Sequence, residues 1–143
     1  MQRKGAMGRF TTKIVVSNNQ DVQMAQGGAL SPDRIRSVAL EGVVDSGAAN
    51  LVLPRAVVKQ LGLKPVGEAF VRYADQRRAK RQVVEEVRVE LLGRHGTFRA
   101  IVEPLRETAL IGTIVLEDLD LVVDCTSQRL RPRDPRGIVA EIE

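Results

Sequence analysis

Six stretches of the chain are rich in apolar residues, several alternating with polar ones: "RFTTKIVV" (9–16), "SVALEGVVD" (37–45), "AFVRYAD" (69–75), "VVEEVRVELL" (83–92), "TFRAIVE" (97–103) and "LVVDC" (121–125). A period of two puts successive side chains on opposite faces of a pleated strand, so these read as strands with one buried face. In the fourth, Val87, Val89 and Leu91 point one way, and Arg88 and Glu90 the other. "LLGRHGTF" predicts a hairpin turn, with Gly93 and Gly96 supplying the permissive backbone. Two short helices interrupt the rhythm. After "LVLP", the segment "RAVVKQLG" gathers Val57, Val58 and Leu61 on one face, with Pro54 suited to a first helical position and Gly62 to the stop. After "ALIG", the segment "TIVLEDLD" gathers Val115, Leu116 and Leu119 behind Thr113 as N-cap. "NNQDVQMAQGGALSPDR" (18–34) has no periodicity and predicts a long surface loop. The tail "GIVAEIE" alternates apolar residues with glutamates and predicts an edge strand.

The two strand-turn-helix segments can be laid over one another, Leu53 on Ile111, Pro54 on Gly112, Leu61 on Leu119 and Leu63 on Leu121. This is a weak internal repeat and does not by itself define a fold.

Composition narrows the classes. A chain of 143 residues is sized for one domain that buries about two thirds of its unfolded surface. With only Phe10, Phe70, Tyr73 and Phe98 as aromatics, the core must be aliphatic, and abundant valine favours strands. The longest apolar stretch, Ala109 to Leu116, is interrupted by Gly112 and Thr113 and is far shorter than the roughly 20 residues a membrane helix needs. The basic start (Arg3, Lys4, Arg9) runs into a segment too polar for a secretory signal, so a cytoplasmic protein is expected, with Met7 a candidate start. Cys125 alone forms no internal disulfide and reads as a small buried strand residue, and the lone His95 reads as an exposed turn residue. Neither supports metal or Cys-His chemistry. The net charge of +4 raises nucleic acid as a partner, through the clusters Arg72, Arg77, Arg78, Lys80, Arg81 and Arg129, Arg131, Arg133, Arg136. Scarce aromatics and interleaved glutamates argue against it and for a solvated surface.

One stretch carries chemistry. "EGVVDSGAANLVLP" (41–54) sets Asp45 between two apolar runs, where desolvation makes its charge costly unless hydrogen bonds or a shared proton compensate. Ser46 offers a hydroxyl, and Gly47 an unobstructed N–H. Asp-Ser-Gly is also a good turn sequence, so the triplet alone is weak evidence.

With its surroundings, "VVDSGAANLVLP" resembles the active-site loop of the retroviral-type (retropepsin-like) aspartic proteases: two apolar residues, Asp-Thr/Ser-Gly-Ala, then an apolar run. "ALIGTIVLEDLDLVVD" is similar to that family's second signature, two apolar residues and a glycine leading into its C-terminal helix. "DCTSQRLRPRDP" resembles the strand-turn-strand that follows in bacterial members. The resemblance covers roughly Thr12 to Pro135. It implies an all-β fold, a closed barrel with one or two short helices, forming half of an enzyme that works as a homodimer. The implied organisation is an N-terminal extension or dimer-strand segment (1–11), a protease domain (12–135) and a C-terminal strand at the dimer interface (136–143).

The implied activity is aspartic endopeptidase, with Asp45 from each of two subunits activating a water, Ser46 bracing the paired loops and Gly47 donating its N–H toward a carboxylate. Such a mechanism calls for no cofactor, no metal and no covalent intermediate. Substrate contacts fall to Ala48, to Tyr73, Asp75, Gln76 and Arg77 in a flap hairpin over Val71 to Val84, and to Ile111 and Gly112. The flap departs from the family pattern, carrying Asp75, Gln76, Arg77, Arg78 and Ala79 where glycines are usual. Its arginines would favour acidic or polar substrate residues. Phe10 to Val16 and Ile138 to Ile142 are the candidate interleaving strands. The partners implied are a second copy and a polypeptide substrate, with no membrane and no nucleic acid. Two other readings stay open: a catalytically silent dimeric barrel that binds peptides or proteins, and a small basic barrel that binds nucleic acid.

Overall fold

The alternating segments become strands whose inward residues share one aliphatic core. A computed structural model describes residues 9–143; Arg3, Lys4 and Met7 lie outside them. In chain order the elements are β1 (Arg9–Asn18), α1 (Asn19–Gln26), a 3-10 turn (Pro32–Arg34), β2 (Ser37–Asp45), β3 (Leu51–Pro54), α2 (Arg55–Leu61), β4 (Gly67–Arg72), β5 (Arg78–Leu91), β6 (Arg94–Glu103), β7 (Ala109–Ile111), α3 (Thr113–Asp118), β8 (Leu121–Asp124) and β9 (Arg129–Pro132). The strand order β1-β2-β7-β3-β6-β5 closes through β1–β5 pairing into a six-stranded barrel, with β4 attached to β5 outside the ring.

Closure depends on a bulge. Partner register along β5 and β6 slips between Val84 and Val87, and Glu86 adopts a left-handed φ of 62°. An extra residue bends a strand and increases its twist. The first part of β5 pairs with β4 on its free side, and the part beyond the bulge pairs with β1 (Val15↔Glu90 to Asn18↔Val87). Val87, Val89 and Leu91 point into the core as the alternation requires.

The internal repeat is physical. Gly42, Val43 and Val44 of β2 run parallel to Ala109, Leu110 and Ile111 of β7. Leu51, Val52 and Leu53 of β3 run parallel to Ala100, Ile101 and Val102 of β6. Exchanging each residue for its repeat mate, Gly42 for Ala100 and Ala109 for Leu51, converts one ladder into the other. The two halves cross where Val52 opposes Leu110 in an antiparallel bridge. Leu61 and Leu119, mates in the repeat, are both completely buried.

Several expectations are corrected. Residues 18–34 are not a loop: Asn18 caps α1, its Oδ1 accepting from the Gln20 and Asp21 N–H groups while its Nδ2 donates to the Leu61 carbonyl at 2.8 Å. The cap of α3 is Gly112 rather than Thr113, which is already helical, and Pro54 is the cap of α2 rather than its first turn. In the hairpin after β5 the left-handed residues are Leu92 and Gly93. Gly96 is needed for room instead, since a Cβ there would meet the Phe98 ring at 2.9 Å and an Asp118 oxygen at 2.7 Å. Cys125 is exposed, in the turn between β8 and β9. The tail 136–143 forms no strand and pairs with no edge of the barrel, of β4 or of β8–β9. Its Val139 N–H donates to the Asp120 carboxylate and its Val139 carbonyl accepts from Arg133. Within the single chain β1 pairs with β2 along Arg9–Ser17 and with β5 over Val15–Asn18.

Candidate active site

Asp45 is the last residue of β2. The strand's alternation buries Val44 completely and turns Val43 and Asp45 to the other face, so the carboxylate opens on a cleft and its side chain stays 20% exposed. This is wetter than a position between two apolar runs predicts, because the strand ends there. Oδ1 accepts the Gly47 N–H at 2.9 Å, and Oδ2 lies 3.4 Å from Arg9 Nε. The turn is closed by the Ala48 N–H donating to the Asp45 carbonyl at 3.1 Å.

The loop is held from below by the second half of the repeat. The first N–H groups of a helix have no partner inside it. In α3 those of Thr113 and Ile114 donate to the Ala48 and Ala49 carbonyls at 2.9 and 3.0 Å. Gly112 makes the approach possible, since a Cβ there would meet the Ala49 carbonyl carbon at 2.5 Å and the Asn50 oxygen at 2.7 Å.

The cleft measures about 990 Å³ and is lined by Asp45, Gly47 and Ala48 from the loop after β2, by Phe70 of β4, and by Val71 and Tyr73 of the flap segment. Tyr73 and Ala48 thus line it. Ser46 is exposed beside it. Asp75 and Arg77 pair with each other at the flap tip at 2.9 Å, where Gln76 takes a left-handed φ of 74°. Those three residues do not line the cleft. Ile111 is fully buried in the core and Gly112 lies beneath the loop, so neither faces the cleft either.

Residues that the sequence reading passed over complete the site. Glu103 ends β6 as Asp45 ends β2, and is its mate in the repeat. Its carboxylate accepts the Tyr73 hydroxyl and, at 3.0 Å, Arg81 Nε. Tyr73 also lies under Arg77, whose guanidinium carbon is 4.6 Å from the ring centroid. Burial, then the Glu103 hydrogen bond, pushes the Tyr73 hydroxyl above its ordinary pKa, with Arg81 opposing. Glu103 therefore fastens the flap to the barrel. Extending the repeat back from Leu53 and Ile111 would have found it. Arg9, Arg72, Arg99 and Arg106 also line the cleft.

Many of the remaining basic residues are spent in surface ion pairs, such as Lys80 with Glu68, Arg133 with Asp120 and Arg136 with Asp134. Among the described residues no His/Cys/Asp/Glu group could hold a metal ion, and no helix is long and apolar enough to cross a membrane.

A barrel of this strand order, with the aspartate loop resting on the start of α3, is the retropepsin-like fold. The structure of EIAV protease complexed with the inhibitor HBY-793 matches with a TM-score of 0.54 at 17% identity, over 82% of this chain and 94% of that one. The solution structure of simian foamy virus (mac) protease matches with a TM-score of 0.43 at 17% identity, over 55% and 80%. No curated protein matches. The aspartyl protease family model matches residues 32–115, more than half of the chain. The chain therefore belongs to the aspartyl protease family, as a retropepsin-like member.

Proposed function

We propose that this chain is an aspartic endopeptidase that works as a homodimer, its reacting groups being Asp45 and the partner's Asp45. The observation that carries the reading is Asp45 itself: a strand-end carboxylate at the mouth of the cleft, held on one oxygen by Gly47 N–H, within the family's matched span. One carboxylate cannot act as acid and base at once, and Asp-Ser-Gly occurs once in the sequence. A two-fold arrangement supplies the second. Two carboxylates about 3 Å apart share one proton, as is general for aspartic proteases. The ionised member takes a proton from water as that water attacks the scissile carbonyl, and the protonated member hydrogen-bonds the carbonyl oxygen. Oδ2, 3.4 Å from Arg9 Nε in the single chain, is the oxygen not held by Gly47 and so the one to share a proton once the partner's Asp45 takes the place of Arg9.

Ser46 is exposed beside Asp45, and in the dimer its hydroxyl braces one loop against the other across the axis. The tail leaves Ile142 88% exposed, with Ile138 and Val139 beside it. A second copy covering this surface would supply the edge that the tail lacks. Deleting residues 137–143 should leave a monomer by sedimentation; an unchanged profile removes the tail from the interface.

The deciding experiment incubates the chain and its Asp45→Asn variant with an unfolded protein from mildly acidic to neutral pH. Cleavage only by the parent is expected. Equal cleavage by both, or none by either, defeats the peptidase reading, and binding of peptide without cleavage identifies a silent barrel.

A further inference from the structure

The cleft carries more positive charge than its own carboxylates neutralise. Arg9, Arg72, Arg99 and Arg106 line it against Asp45 and Glu103. Asp45 already faces Arg9, and Glu103 is paired with Arg81. Among the described residues, Arg72, Arg99 and Arg106 have no carboxylate within ion-pair distance.

Arg106 is the informative one. Its Nε donates to the Thr108 carbonyl at 2.7 Å, and its Nη2 reaches toward the Ala109 carbonyl at 3.5 Å. These neutral acceptors fix the guanidinium without supplying a counter-charge in direct contact. Burial holds its pKa below the ordinary arginine range and Arg9 adds to this, while Glu103 and Asp45 oppose it. It remains a cation, since arginine is charged at any physiological pH. A partly desolvated cation without a counter-ion gains more from an arriving anion than a solvated one does. Arg106 lines the same cleft as Asp45 and Glu103. Arg72, at the end of β4, and Arg99, on β6, are exposed and extend the positive field along the cleft.

Resting on the peptidase reading, we propose that the cleft selects polypeptides with an aspartate or glutamate beside the cleaved bond, Arg106 receiving the carboxylate. The flap-tip arginine is not the selector, because Arg77 is held by Asp75 over the Tyr73 ring. A nucleic-acid strand fits less well, since its continuous run of phosphates would have to pass Asp45 and Glu103, whereas a single side-chain carboxylate at Arg106 need not.

Matched peptides differing only in Glu or Gln next to the cut test this on the full chain. The Glu peptide should show about tenfold higher kcat/KM, the size expected of one charge-assisted hydrogen bond. High salt should erode the ratio. Arg106→Gln should bring it near one, and Arg106→Lys should retain most of it. Equal rates on the two peptides, or a ratio unchanged in Arg106→Gln, overturn the proposal and leave the peptidase reading intact. A binding arm uses Asp45→Asn and fluorescence anisotropy of the same labelled peptides, and so needs neither turnover nor an Arg106 variant. Preference for the Glu peptide there supports the proposal even if no cleavage occurs. No preference in that arm, or displacement of the peptide by a lower concentration of oligonucleotide, overturns it.

Discussion

The loops after β2 and β6 occupy equivalent places in the repeat and have been put to different uses. Each leaves a strand on a carboxylate, Asp45 in one and Glu103 in the other, and each returns through a short strand into a helix. After Asp45 come Ser46, Gly47 and Ala48, small residues that let the backbone fold back on its own carboxylate. After Glu103 come Pro104, Leu105 and Arg106, in a turn of the same length, but without the small residues that let an N–H two positions on meet the carboxylate. The longer glutamate reaches outward to Tyr73 and Arg81 instead. The scaffold thus fixes where an acid stands. The three residues that follow decide whether it is presented to solvent or spent as a fastener.

The sharpest way to break this comparison is to neutralise each acid in turn. Asp45→Asn should lower turnover about 10³-fold or more, the scale of lost acid–base catalysis. Glu103→Gln should act on flap closure, seen as a changed KM, and steady-state kinetics on one peptide distinguishes the two outcomes. If both variants lose turnover equally, the two loops do not divide the work.

Next in size is the contact that joins the halves. Gly112→Ala should cost about 3 kcal/mol in urea unfolding, because the added methyl meets backbone that cannot swing aside. Its mate Pro54 carries a full ring at the equivalent place. A smaller cost, about 1 kcal/mol, is expected of Gly42→Ala, where the obstacle is the Ile111 side-chain tip at 2.6 Å. Ala100, the mate of Gly42, already holds such a methyl while 1% exposed. Equal costs at 42 and 112 would mean that the Ile111 side chain is as unyielding as the loop.

The finest probe is a titration. Tyr73 is the only tyrosine and tryptophan is absent, so phenolate absorbance reports one group. Its midpoint should lie above the ordinary value near 10. Glu103→Gln should lower it partway, since burial, the larger cause, remains. A raised folded pKa favours the protonated form. The fastener's stability is therefore complete below the unfolded pKa and lost as pH rises through the folded one. An unmoved midpoint in Glu103→Gln would remove Glu103 from that role.

What was legible in the sequence followed from periodicity and punctuation. The alternation in β5 and the apolar faces of α2 and α3 hold in detail, because burial of one face fixes them. Helix α1 escaped because its only buried side chain is Asp21, so it shows no apolar stripe. It is held by polar contacts that span the sequence: Asn18 to the Leu61 carbonyl, and Asp21 to Arg36 at 2.8 Å. An Asn followed three residues later by an acid was the one available cue. The tail reads as a strand by alternation, yet alternation cannot tell whether a ladder is vacant to receive it. Asp45 was legible through its motif. Glu103 and Arg106 belong to no motif, and only register and the fold bring them into the cleft.

The carbonyls of Ala48 and Ala49 are met by N–H groups that belong to the far half of the chain. During synthesis the aspartate loop must therefore wait, unfinished, until the start of α3 has left the ribosome and docked. A partial product cut short before that helix has the sequence of the site without the bonds that give it its shape.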